Sequence, residues 1–181
     1  GYRYLGVRMR NLGRGKWKLR REEMIRKARR AFWRAWGLGM DSQGWLSARG
    51  ARWLWGTLVL PILEYAAEVD SGEWEEAERL QRMAGRMCLG VGREVQNEVV
   101  TGELGWWTVR GRRIYLRLIY WGKLVRERKG TLMRDVYEEG RRRIVEGRTT
   151  SKQEWCVETK RLLEWVGLGE CWESEDVGEK G

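Results

Sequence analysis

Histidine is absent from the 181 residues, proline and phenylalanine occur once each, and the three cysteines, Cys88, Cys156 and Cys171, form no short pairing motif. A zinc site draws on histidine and closely spaced cysteine, so none is expected. An odd cysteine count with no signal-peptide pattern points to a reducing compartment, not to a disulfide scaffold. Aspartate is scarce: Asp41, Asp70, Asp135 and Asp176 all stand apart, which excludes the adjacent pair that many two-metal phosphoryl-transfer centres require. The longest apolar run, residues 53–63, is interrupted by Gly56, Thr57 and Pro61 and falls short of the ~20 residues a membrane span needs. The sequence therefore predicts neither a catalytic centre nor a transmembrane segment.

Basic residues dominate what is present. Lysine and arginine number 36 against 26 acids, a net charge of +10, a balance suited to a polyanion. The charge is also segregated. Residues 1–60 carry 15 basic and 3 acidic groups, residues 61–105 carry 4 and 10, residues 106–148 carry 13 and 5, and the remainder carries 4 and 8. Two basic blocks divided by an acidic one imply a surface with a polarity. The 13 tryptophans are weaker evidence. Trp, Gly, Glu, Arg, Val and Met share G-rich codons, so mutational bias accounts for much of their abundance and the count does not by itself argue for base stacking.

Apolar spacing predicts a mainly α chain: a short N-terminal strand or hairpin followed by a six- to seven-helix bundle-like domain. Leu5, Val7 and Met9 alternate with Gly6 and Arg8, the pattern of a half-buried strand. Over residues 16–38, Trp17, Met24, Ile25, Ala28, Ala31, Phe32 and Ala35 fall on one helical arc. A second helix is expected from near Trp45 past Pro61 to Val69, kinked at the proline. A third is capped by Ser71, with Leu80, Met83 and Met87 inward, and a short one covers residues 94–104. A long helix starts at Thr108, and Thr131 opens another with Leu132, Val136 and Tyr137 inward. Ser151 and Glu154 form a capping box before Trp155, Leu162, Leu163 and Val166. The acidic tail from Gly169 is expected to be loose. In domain terms, residues 1–148 form one body and residues 149–181 a C-terminal helix and tail.

Several short motifs carry a resemblance. Tyr4-Leu5-Gly6-Val7, then Gly15-Lys16-Trp17 and a basic helix, resemble the segment that follows the catalytic palm in non-LTR (LINE-type) retrotransposon reverse transcriptases. Leu60-Pro61-Ile62-Leu63-Glu64-Tyr65-Ala66-Ala67-Glu68-Val69 is similar to that family's Pro-x-Leu-x-Tyr-Gly-x-Glu-x-Trp segment, with Ala66 for the usual glycine and Asp70 near the usual tryptophan. Ala77-Glu78-Arg79-Leu80-Gln81, Gly102-Glu103-Leu104-Gly105-Trp106 and Arg112-Arg113 match further stretches in the expected order. The resemblance covers roughly residues 2–140. It implies a primer-grip strand and a thumb-like helical region, non-catalytic in itself, that holds RNA template and DNA primer by their backbones. The family's paired aspartates and their divalent metal belong to the upstream palm of the same polyprotein, so the chain alone is expected to hold no cofactor and to show no polymerase activity. An intracellular, nuclear place of action follows from the same resemblance.

The candidate nucleic-acid-binding residues divide into three groups. Tyr4, Leu5 and Gly6 would form the primer-grip turn. Lys16, Arg20, Lys27, Arg30 and Arg34 lie on an arc apart from the apolar one and would track phosphates; the bland alternative is a solvated face. Arg110, Arg113 and Arg117, three and four apart, could form a second phosphate row or instead pair with the acidic middle block. Glu73, Glu75, Glu76 and Glu78 open a helix, where acids offset its dipole, and need no metal to explain them. Rival readings are a free-standing helical RNA-binding domain derived from a retroelement, a membrane-surface or scaffold domain using the basic first helix, and a remnant with no selected role.

Overall fold

The computed structural model describes residues 17–38, 47–70, 74–148, 155–176 and 178, together with the backbone of residues 2–4 and 7–9. The described residues are mainly helical. In order, the helices are α1 (Lys18–Gly37), α2 (Ala48–Leu54), α3 (Leu60–Glu64), α4 (Glu75–Leu89), α5 (Asn97–Glu103), α6 (Val109–Arg126), α7 (Leu132–Val145), α8 (Trp155–Trp165) and α9 (Gly169–Ser174). A π-helical stretch, Trp55–Val59, joins α2 to α3 in one rod, so the described residues form eight rods where six or seven were expected.

The rod begins at Ser47, whose hydroxyl accepts a hydrogen bond from the Gly50 amide. Pro61 lacks an amide hydrogen and crowds the carbonyl one turn before it, and the widened π turn lies immediately ahead of it. Thr57 follows the same logic, its hydroxyl donating to the Trp53 carbonyl at 2.9 Å. The expected continuation to Val69 does not occur. The rod stops at Glu64, and Ala66 takes φ +55°, a left-handed conformation that penalises any side chain by about 1–2 kcal/mol. Ala66→Gly should therefore raise stability by about 0.5 kcal/mol, the relieved strain outweighing the extra freedom glycine has when unfolded. A thermal midpoint lower than that of the parent would count against this account.

The chain divides into two compact units, Gly1–Tyr65 with Glu73–Arg112, and Ala66–Gly72 with Arg113–Gly181. The division expected after residue 148 thus falls inside the second unit. In the first unit, α1 buries Met24, Ile25, Ala28, Phe32 and Ala35 against Trp55, Val59 and Leu63 of the rod and Ala77, Leu80 and Ala84 of α4. This is the apolar arc read from the sequence. Trp55 and Trp106 stack with centroids 4.8 Å apart. At Gly85 of α4 an added Cβ would lie 2.6 Å from Val100 Cγ1, so glycine there permits α5 to approach closely. Met83, expected inside, is exposed; the inner face of α4 is formed by Ala77, Leu80, Gln81 and Ala84, with Gln81 donating to the Trp107 carbonyl at 2.7 Å.

The second unit is built on aromatic contacts. Trp121 of α6 donates its indole N–H to the Tyr137 hydroxyl at 3.0 Å and stacks on Trp172, and burial pushes the Tyr137 phenol up to about 12. Trp172 belongs to α9 and is 3% exposed, so the segment after Gly169, expected to be loose, closes this core. Leu132 and Val136, expected inward, face solvent. Tyr137, also expected inward, is buried, and Arg134 joins it on the buried side of α7, because the arginine satisfies its charge there. Val166 is likewise exposed, while Leu163 is fully buried. The caps expected at Ser71 and Ser151 lie outside the described residues. Thr131 does cap α7, its hydroxyl accepting from the Arg134 amide, and Thr108 accepts from the Gly111 amide at the start of α6.

Candidate nucleic-acid interface

With one face of α1 buried, the other is left to solvent, and its chemistry is almost wholly cationic. Arg26, Arg29, Arg30 and Arg34 are exposed, and among the described residues none has an ion-pair partner. The first and last of these four lie eight positions apart, about 12 Å of helix axis, a length over which duplex DNA presents about seven charges. Like charges three and four residues apart destabilise a helix by a few tenths of a kcal/mol per pair, a cost that an external anion would remove.

The structure treats the other α1 candidates differently. Arg20 is fully buried, its guanidinium 5.8 Å from the centroid of the Trp74 ring, which removes it from the phosphate-tracking set. On the helical wheel it borders the apolar arc, and its long stem lets it pack inward. Lys27 is exposed but lies 3.2 Å from Glu23, so part of its charge is answered locally. Arg30 and Arg34 are exposed. Arg26 and Arg29, which are not among the residues expected from the sequence, are exposed on the solvent side of the same wheel. Leu5, Gly6 and Lys16 lie outside the described residues, and of Tyr4 only the backbone is described.

The second candidate row does not form. Arg113 is buried, donating to the Asp70 carbonyl at 2.7 Å with its carboxylate 3.4 Å away. Arg117 is buried against Glu158 at 2.9 Å. Arg113 thus takes the expected alternative, a partner in the acidic middle block, whereas the partner of Arg117 lies in the last block, where none was expected. Arg110 alone is exposed, and its amide donates to Glu78 at 2.7 Å, which places a carboxylate at the positive end of α6. Glu75 pairs with Arg79 and Arg82, which hold its carboxyl below the usual range, the Arg82 hydrogen bond foremost. Glu73 lies outside the described residues.

The basic block around α6 and α7 is thus largely neutralised from within. Arg112 pairs with Glu64, Arg134 with Glu138 and Glu175, Arg141 with Glu175, and Arg142 and Arg143 with Glu139. In the block around α1, Arg26, Arg29, Arg30 and Arg34 remain without an ion-pair partner among the described residues. Among the described residues no helix is long and apolar enough to cross a membrane. Comparison of the chain with protein-family models, curated proteins and solved structures returns no match.

Proposed function

We propose that this chain is the post-palm, thumb-like part of a non-LTR-type reverse transcriptase, a non-catalytic module that grips RNA template and DNA primer through their phosphates. The observation that carries this reading is the unpaired arginine face of α1, set on a helix whose opposite face is locked into a core. Phosphate contacts of this kind fix position without reading sequence, as a processivity element requires.

A further observation supports the resemblance. Ala66 stands where the similar family segment has glycine, and its φ of +55° is a backbone state that glycine enters freely. On this reading the partners are the RNA template, the DNA primer and an upstream palm that holds the divalent metal, and the place of action is the nuclear target site.

The test is the salt dependence of binding. The chain should bind an RNA–DNA duplex irrespective of sequence, and log affinity should fall against log salt with a slope of about −4, each of four phosphate contacts contributing about −0.9. No binding, or a slope near zero, would overturn the proposal.

A further inference from the structure

In the middle of the arginine face stands a large apolar ring. Trp33 is 53% exposed, with Arg29 and Arg30 one turn before it and Gly37 one turn after. Helical side chains lean toward the N-terminus, so a residue at position 37 would ordinarily cover the ring at 33. Gly37 has nothing to cover it with, and a Cβ built there meets no atom within 4 Å. The neighbouring rod repeats the arrangement: Trp53 is 66% exposed, Arg49 precedes it by one turn, and Gly56 follows with no atom within 4 Å of an added Cβ. Codon bias explains many tryptophans, but it does not explain two uncovered ones placed between arginines and glycines.

The geometry points to Trp33 and Trp53 as stacking platforms for the bases of an unpaired strand, such as a template running beyond the duplex; this rests on the nucleic-acid reading above. A duplex presents phosphates outward and keeps its base faces covered, so it would use the arginines alone. A single strand offers both, and the combination of a cationic surface with an open aromatic face is what sequence-tolerant single-strand binding uses. A membrane surface is a poorer occupant. Interfacial helices present a broad apolar face to lipid, whereas the apolar face of α1 is already committed to the core and Trp33 stands among charges.

The experiment measures fluorescence anisotropy of labelled oligonucleotides with the full 181-residue chain. One probe is a blunt RNA–DNA duplex and the other is the same duplex with an unpaired RNA overhang of about ten nucleotides. The overhang should bind more tightly, and Trp33→Ala with Trp53→Ala should remove about 30-fold or more of affinity for it while leaving the blunt duplex within about twofold. Trp33→Phe with Trp53→Phe should recover part of the loss. Trp165→Ala, an exposed tryptophan in the acidic last block, should change neither probe. Unaltered melting of the variants separates loss of stacking from loss of fold. Equal binding of both probes, indifferent to the tryptophans, overturns the stacking role and leaves the phosphate grip standing. Absence of binding to either probe overturns both. Binding to phosphatidylserine vesicles that depends on Trp33 and Trp53, with oligonucleotide binding unaffected, also overturns it and identifies a lipid surface as the occupant.

Discussion

Reversing Arg29, Arg30 and Arg34 together to glutamate is expected to lower affinity for an RNA–DNA duplex by at least about 10²- to 10³-fold at ~0.1 M salt. Each contact contributes about 0.9 to the salt slope, so the slope should flatten by nearly three contacts' worth. The chain would remain cationic, its net charge moving from +10 to +4, because three residues each change by two charges. A large loss would therefore be local and not a general effect of charge. The fold should survive, since all three side chains are exposed and their mutual repulsion is only exchanged for that of three acids. Arg142→Glu with Arg143→Glu is the control: both arginines already face Glu139, and their reversal should cost little affinity. Parallel loss in both variants, or none in the first, would make the α1 face an ordinary solvated surface and the chain a packing domain for its neighbours.

The largest stability effect should come from Arg134→Met. Arg134 is 4% exposed, yet each arm of its guanidinium has a partner. One nitrogen donates to the carbonyls of Leu124 and Val125 near the end of α6, and the others reach Glu138 and Glu175. Burial alone would lower its pKa, but the hydrogen bonds to Glu175 and Glu138 more than offset this and leave it raised. Methionine fills a similar volume but strands two carbonyls and takes from Glu175 one of its two arginines, Arg141 being the other, and removing one member of a buried ion pair costs about 3–5 kcal/mol. Domain stabilities are about 0.05–0.15 kcal/mol per residue, so the second unit would lose most of its margin. Near-ultraviolet dichroism from the stacked Trp121 and Trp172 should fade in the denaturation profile well before the parent's. A change under about 1 kcal/mol would mean that the cluster behaves as exposed ion pairs do.

Periodicity made α1 legible, because one element fixes both its buried arc and its solvent arc from local spacing alone. Pro61 likewise announced a local break in the helix. The failures share a different character. Arg113 meets Asp70 across 43 residues and Arg117 meets Glu158 across 41, and no window on the chain brings such partners together. Arginine compounds the difficulty, since its stem packs like an apolar residue while its head keeps a charge. Arg20 and Arg134 were thus read as surface or passed over, while Leu132 and Val136 were assigned to a core that arginine occupies. The acidic tail misled for a similar reason. Its composition suggested solvation, and the single residue Trp172 decided otherwise.

The way the two units share the chain bears on how they fold as it emerges during synthesis. The short segment 66–72 belongs with residues that follow position 112, and its Glu68 carbonyl accepts from Trp155, 87 residues later. That segment cannot find its native partners until the second half of the chain is made. The first unit is interrupted meanwhile and reaches completion only with Arg112. Non-local closures of this kind slow folding and leave apolar surface waiting, and α9, the last of the described helices, is the one whose Trp172 covers Trp121 and Tyr137.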